Sequence, residues 1–394
     1  MAAQRQASSA SQIPHISPAE LSYLYTSLSV PGNPIRPDGR SPTQFRPLSA
    51  ETDILPGTNG SARVGFADGT QAIVGVKAEV ERTPLGIEAL SQAEQQEYAA
   101  DNNKASDGSK GDVRQGSSSG QGSWVQMAIE IPGFRDDDAL PVFLAEMMRE
   151  PLVESVSAGG EGSMVGGLKG RLVINRRWHW RLYIDVLLLS QPLSYPLPLL
   201  SLTTHLALLA TKLPKLKSKG EEDPFFDDDW NAAEYLYPRV KSKSTIPSIP
   251  GSVSVHKVRP PVTLLVVSVA ENIIFDPSRE EIAVADAVLA ISVTYDTDSG
   301  SLKLLSIRTI DPPSRLTQPG VPNSENVATL GSTAAAEESV IVNPSTGEEE
   351  VPGVWKPRRG GVKRATIAKM VKMVLEKGGV GEEVLEGLEG VEVG

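Results

Sequence analysis

A rigid loop that carries arginines near the N-terminus constrains this chain more than any other segment. Residues 35–40 read IRPDGR, and residues 45–47 read FRP. Proline restricts φ and removes a backbone donor, and Asp-Gly favours a tight turn, so the segment suits neither a helix nor a strand. The sequence therefore predicts an irregular loop that fixes Arg36, Arg40 and Arg46, either to support the fold or to contact another subunit.

A hairpin follows this loop. Residues 59–64 read NGSARV, and residues 72–80 read AIVGVKAEV, with the turn signal Asp68-Gly69 between them. Alternating apolar residues on both sides of Asp-Gly predict strands over 61–67 and 70–81. The ordered set RPDGR, RP, SARV, Asp-Gly and VGVKAEV resembles the opening of the RNase PH family.

Two further segments resemble one branch of that family, the ring of the eukaryotic RNA exosome. They are SPAELSY at 17–23 and WRLYIDVLLL at 180–189. The resemblance implies a single α+β domain with a ribosomal protein S5 domain 2-like core over 13–378. Long insertions would interrupt it at 86–123, 214–259 and 312–355, because these segments are polar, rich in Pro, Gly and Ser, or divided into charge blocks. Residues 1–12 would form a flexible N-terminus, and 379–394 an acidic tail.

Hydrophobic periodicity predicts the remaining elements. Ser17 and Pro18 offer an N-cap and a first-turn proline for a helix within 14–30. Further helices are expected over 138–155 and 199–213 and around Ile367 to Val374. Strands are expected over 124–131, 171–175, 180–189, 262–270, 282–294 and 302–308.

Composition excludes several classes of protein. The chain has 394 residues, no cysteine and a net charge of −11. It can therefore form no disulfide, thiol nucleophile or Cys-based zinc site, and a globally basic RNA-coating protein is excluded. The four histidines have no metal-binding spacing, so no metal and no other cofactor is expected. No secretory signal and no apolar run of about 18 residues is present, which predicts a soluble, intracellular chain without a membrane partner.

The segment 190–198 bears on catalysis. Active RNase PH relatives degrade RNA by phosphorolysis, and the resemblance places their Gly-Gly-Thr-Arg or Gly-Gly-Ser-Arg phosphate loop directly after the strand at 180–189. Here 190–198 reads SQPLSYPLP, with three prolines and neither glycine nor a basic residue. Proline also removes N–H donors that could hold a phosphate. The sequence predicts a degenerate phosphate loop and no catalytic residues.

An acidic cluster leaves two interpretations open. Asp276, Glu280, Glu281 and Asp286 lie where active relatives carry acidic residues, with Glu280 about where the catalytic aspartate is expected. These residues could bind Mg²⁺ or act as a general acid. Alternatively, they form a turn and a helix-like approach to the next strand. Without a phosphate loop we favour the second interpretation, a vestigial cluster.

Four arginines are candidates for contact with single-stranded RNA: Arg149, Arg171, Arg176 and Arg177. Arginine pairs with phosphates, and nearby aromatic residues can stack on bases. The alternative is that Arg149 pairs with Glu146 or Glu150 and that Arg176 and Arg177 are exposed turn residues.

The resemblance implies a non-catalytic structural subunit of the exosome ring, in the nucleus, nucleolus and cytoplasm. Six RNase PH-like subunits would form the ring as three heterodimers, and this chain would pair directly with the mRNA-transport-regulator-type subunit. S1/KH cap subunits and a hydrolytic exoribonuclease subunit would complete the particle. The subunit would support 3′-to-5′ RNA processing and degradation by completing an RNA-threading channel. The alternatives are an active phosphate-dependent 3′-to-5′ exoribonuclease and a different RNase PH-like ring paralogue.

Overall fold

The computed structural model describes most of the predicted domain. It covers residues 16–83, 122–153, 156–157, 164–165, 167–218, 220, 222–238, 259–296, 300–337, 339–342, 349–358 and 361–392. The predicted flexible N-terminus at 1–12 and residues 86–121 of the first predicted insertion lie outside these ranges. The described residues include no helix that is long and apolar enough to cross a membrane.

The described residues form eight α-helices and nine main strands. The helices are α1 (Pro18–Leu28), α2 (Ala139–Val153), α3 (Leu168–Arg171), α4 (Leu197–Ala210), α5 (Arg279–Ala283), α6 (Thr333–Ala336), α7 (Arg364–Leu375) and α8 (Val380–Glu389). The main strands are β1 (Leu48–Thr52), β2 (Gly60–Phe66), β3 (Gln71–Arg82), β4 (Val125–Glu130), β5 (Trp178–Leu188), β6 (Val262–Val269), β7 (Asn272–Phe275), β8 (Ala287–Asp296) and β9 (Ser301–Ile310). Three ladders of two-residue strands join 156–157 to 164–165, 212–213 to 234–235, and 341–342 to 349–350.

The main strands form two sheets. The first has the order β1-β2-β3-β5-β4, in which only β4 and β5 are parallel. The second has the order β7-β6-β8-β9 and is antiparallel throughout. Together with the helices this arrangement confirms the predicted α+β class.

Helix α4 lies between the sheets and joins them into one core. It packs against β2 and β3 of the first sheet and β6 of the second. All its residues are buried, which matches a sequence that is apolar on every side of the helix. The helix ends close to β2, where a Cβ on Gly60 would lie 2.5 Å from the Cα of Thr211. The glycine therefore permits this close approach.

Most predicted elements are confirmed within a few residues, including the hairpin β2–β3, the strands β4 and β5, and the helices α2 and α4. Helix α1 begins as predicted, because Ser17 and Glu20 form a reciprocal capping box. The prediction of a strand over 171–175 is wrong: α3 ends at Arg171, and only Val173 forms an isolated bridge, to His179.

Other differences concern the C-terminal half. The predicted strand over 282–294 begins at Ala287 instead, because α5 occupies the preceding residues. The prediction that 379–394 forms an acidic tail is wrong, because most of this segment is helix α8, in which Val380, Leu385 and Leu388 are buried. Two segments expected to be surface insertions also contribute to the core, through Leu236, Tyr237 and Trp355.

Candidate functional site

Arg36 of the N-terminal loop lies in a buried ion pair. Its Nε and Nη2 donate to Oε1 and Oε2 of Glu281 at 2.7 and 2.9 Å, and both side chains are fully buried. The same guanidinium donates to the carbonyl oxygens of Phe275 and Asp276. Arg36 therefore joins the N-terminal loop both to α5, through Glu281, and to the end of β7, through the carbonyl of Phe275.

Asp276 occupies the centre of the same network. Its carboxylate, also fully buried, accepts hydrogen bonds from Arg40 Nη1 at 2.8 Å and from Arg46 Nη2 at 2.7 Å. Burial alone would lower the pKa of Arg46, but the hydrogen bond and charge of Asp276, with help from Asp68, raise that pKa above its ordinary value. Asp276 has a φ of 45°, a backbone conformation that the surrounding arginines hold in place. The network thus supports the first interpretation of the arginine loop, a structural one.

The structure does not gather the four acidic candidates into one site. Asp276 and Glu281 are buried against arginines, whereas Glu280 is exposed on α5. Asp286 accepts a hydrogen bond from the backbone N–H of Ala270 at 2.6 Å and lies 3.6 Å from Arg358. Three of the four carboxylates are therefore already in ion pairs within the fold, those of Asp276 and Glu281 fully buried and that of Asp286 partly exposed. Among the described residues no group of three or more His, Asp or Glu side chains is placed to hold a metal ion.

A cleft of about 270 Å³ lies beside this network, along the segment 190–198. Its walls are mostly apolar, and they come from the end of β4, the start of α2, this segment and α5. The lining residues are Pro132, Gly133, Phe134, Leu140, Gln191, Pro192, Leu193, Ser194, Tyr195, Pro196, Arg279, Ile282 and Pro313. Arg46 Nη1 donates to Ser194 Oγ at 2.9 Å and so ties the wall of the cleft to the arginine network. Burial raises the pKa of the Tyr195 phenol above its ordinary value.

Arg279 supplies the guanidinium that lines this cleft, and the sequence reasoning did not single it out. It lies in the segment DPSREE at 276–281, which we considered only for its acids. The capping box of Ser278 and Glu281 starts α5 and so places Arg279 in the first turn. An S-x-x-E pattern was therefore the available signal that this segment forms a helix with Arg279 on it.

The four RNA-contact candidates lie in different environments. Arg149 makes two hydrogen bonds to Glu146, at 2.8 and 2.7 Å, as the alternative interpretation expected. Arg171 donates to the carbonyl of Leu236 and lies 4.3 Å from the centre of the Tyr237 ring, and burial lowers its pKa. Arg176 and Arg177 are exposed in the turn before β5. Of the four, these last two are the most accessible to RNA.

Comparison with known proteins identifies two relatives. The chain is 30% identical over 283 residues to the exosome complex component RRP42 of Saccharomyces cerevisiae, covering 70% of this chain and 81% of the relative. It is 30% identical over 290 residues to the exosome complex component rrp42 of Schizosaccharomyces pombe, covering 70% of this chain and 77% of the relative. No family model matches the chain.

Solved structures align more distantly. A chain of the Archaeoglobus fulgidus exosome with RNA bound to the active site aligns with a TM-score of 0.44 at 20% identity, over 74% of this chain and 87% of that one. Rice (Oryza sativa) Rrp46 aligns with a TM-score of 0.37 at 11% identity, over 70% of this chain and 85% of that one. Since both scores are below 0.5, the assignment rests on the two sequence relatives. The chain therefore belongs to the family of the exosome complex component RRP42.

Proposed function

We propose that this chain is a non-catalytic structural subunit of the RNA exosome ring. It would complete the ring, pair directly with the mRNA-transport-regulator-type subunit and support 3′-to-5′ RNA processing by a separate hydrolytic nuclease. Under the same proposal, S1/KH cap subunits are neighbours of this chain in the particle. The chain would be found in the nucleus, the nucleolus and the cytoplasm. Single-stranded RNA would run through the channel of the ring along this subunit. Arg176 and Arg177 are the most exposed of the candidate residues for contact with that RNA.

One observation carries the proposal that the subunit is inactive. The segment 190–198, which forms a wall of the cleft, offers three prolines and no cation. Phosphorolysis needs fixed cations around the attacking phosphate and the charge that develops in the transition state. A single arginine, Arg279, faces a mostly apolar cleft, and the carboxylates of Asp276 and Glu281 are held by other arginines. This arrangement suits a structural role better than phosphoryl transfer.

The test has two parts. The native complex is isolated through a tag on this chain, and mass spectrometry should find other RNase PH-like subunits, S1/KH caps and a hydrolytic nuclease. The purified chain should release no nucleoside diphosphates from single-stranded RNA in phosphate buffer with Mg²⁺. Phosphate-dependent release that disappears in Glu280→Ala would overturn the non-catalytic assignment and favour an active exoribonuclease. A different set of co-purifying neighbours would refute ring membership.

A further inference from the structure

The distribution of charge along the chain singles out one short basic segment. Residues 356–377 contain eight basic residues and one acidic residue, Glu376, a net of +7. Because the whole chain carries −11, the other 372 residues carry −18. An anionic polymer is therefore repelled by most of the molecule and attracted to this segment.

Helix α7 presents part of this charge on one face. Arg364, Lys369 and Lys372 are exposed, with the small residues Ala365 and Ala368 between them. The opposite face buries Met370 and Val374 in the core. At about 1.5 Å per residue, the three cations extend over about 12 Å of the helix axis. The core contacts fix the helix, so the charged face has a defined orientation.

These three cations are not neutralised within the described part of the chain. Lys369 Nζ donates to the backbone carbonyl of Glu271 at 2.9 Å, and no carboxylate lies within 4.0 Å of Arg364, Lys369 or Lys372 there. Several arginines elsewhere are paired, such as Arg149 with Glu146 and Arg259 with Glu389. Glu271 and Glu376 border the face, while Lys363 and Lys377 flank the helix at its two ends. Helix α8 packs against α7 and carries Glu382, Glu383, Glu386 and Glu389. None of these carboxylates lies within 4.0 Å of the three cations, and Glu389 is paired with Arg259 instead.

The chemistry of the face favours a nucleic acid over a protein partner. Protein interfaces rely on a few large apolar or aromatic anchors, and this face offers only two alanines between its cations. Phosphate backbones, in contrast, bind to lysine and arginine through charge and counterion release alone. No aromatic side chain lies on the face to stack on a base, so contact would be independent of sequence.

We propose that the exposed face of α7, formed by Arg364, Lys369 and Lys372, binds the phosphate backbone of single-stranded RNA. The choice of RNA as the anionic polymer rests on the proposed function, whereas the position of the surface rests on the charge and exposure of α7. This surface is separate from the arginines at 176 and 177 and from the cleft.

The test measures RNA binding by the full-length chain, together with any subunits that co-purify. A fluorescent 20-nucleotide oligouridine is titrated at salt concentrations from 50 to 200 mM and followed by anisotropy. The variant carries Arg364→Gln, Lys369→Gln and Lys372→Gln, because glutamine keeps helix propensity close to that of lysine and arginine. Losing three phosphate contacts should lower the log–log salt slope by about 2 and weaken binding about tenfold or more at 50 mM salt.

The matched control removes the same charge elsewhere, with Lys77→Gln, Lys215→Gln and Lys217→Gln. It should keep the wild-type slope, and circular dichroism should show both variants folded. Equal weakening in both variants, or an unchanged slope in the α7 variant, would overturn the proposal. Wild-type chain that binds labelled polyglutamate but no RNA would assign the surface to an acidic protein segment instead. Failure of ring subunits to co-purify would refute the proposed function while the slope comparison still decides the role of α7.

Discussion

At the scale of single residues, the buried pair of Arg36 and Glu281 explains why the N-terminal loop is rigid. Prolines and the Asp-Gly turn predicted the rigidity from local sequence, but they could not predict the partner. Glu281 lies 245 residues away, and only the folded chain brings the two together. The sequence thus predicted that the loop is irregular and rigid. It could not predict that Arg36 pairs with Glu281, because that contact joins residues far apart in the sequence.

The energetic weight of this pair can be measured. Replacing Arg36 with Met leaves the Glu281 carboxylate buried without a counter-charge, although the Ser278 N–H still donates to it at 2.7 Å. We therefore expect the free energy of unfolding to fall by about 3–5 kcal/mol. Urea denaturation of the full chain followed by tryptophan fluorescence measures the loss. The double variant Arg36→Met with Glu281→Leu should recover much of it, because neither charge then remains buried. Arg63→Met, at a half-buried site 3.9 Å from the exposed Glu51, should change stability by less than about 1 kcal/mol.

At the scale of elements, the sequence predicted best those that carry their own start signal. The Ser17 capping box and the apolar run of α4 needed no tertiary information. Helix α8 was missed because its glycines and glutamates suggested a tail, although Val380, Val384 and Leu388 recur at the helical spacing of four residues. Its stability comes from packing against α7 and from the ion pair between Arg259 and Glu389, at 2.7 Å.

Substitutions in α8 test whether it belongs to the core. Leu388 is 2% exposed, so Leu388→Ala should destabilise the chain by about 2–5 kcal/mol through lost burial and a residual cavity. The same chemical change at Leu316, which is 64% exposed, should cost no more than about 0.5 kcal/mol. Thermal unfolding of both variants gives the comparison. Equal melting temperatures would show that α8 is a tail after all.

At the scale of the whole molecule, the first sheet explains how the first predicted insertion, 86–123, can be accommodated. β3 runs antiparallel to β5 and β4 runs parallel to it, with Arg82 opposite Trp178 and Val125 opposite Leu182. The end of β3 and the start of β4 therefore lie at the same end of the sheet, on either side of β5. Crossing one intervening strand requires about 10 Å, and the stagger of four residues along β5 adds about 13 Å in the perpendicular direction. The two ends are therefore about 16 Å apart, a distance that about five or six residues can span. The segment between Arg82 and Val125 contains many more residues than this connection needs.

Deleting residues 92–120 should therefore leave the fold intact. The deletion removes 29 of the 42 residues between Arg82 and Val125. Shortening the loop about threefold lowers the entropy cost of closing it, so stability should stay equal or rise by about 1 kcal/mol. Thermal unfolding and size-exclusion chromatography of the deleted chain measure the outcome. Aggregation, or a marked fall in melting temperature, would show that the deleted segment is an essential part of the core.

The arginine network also has a consequence for biosynthesis. Arg36, Arg40 and Arg46 depend on Asp276 and Glu281, which lie 230 to 245 residues later in the chain. At a translation rate of about 5–20 residues per second, the ribosome adds those carboxylates roughly 12 to 50 seconds after the arginines. Until then the arginines of the loop have only Asp38 and Asp68 as counter-charges, which lie 2.6 Å from Arg40 and 2.8 Å from Arg46 in the folded chain. Every strand of the first sheet, in contrast, has been synthesised by residue 188. Closure of the network is therefore a late step on the nascent chain, one that a stalled or truncated translation product could never complete.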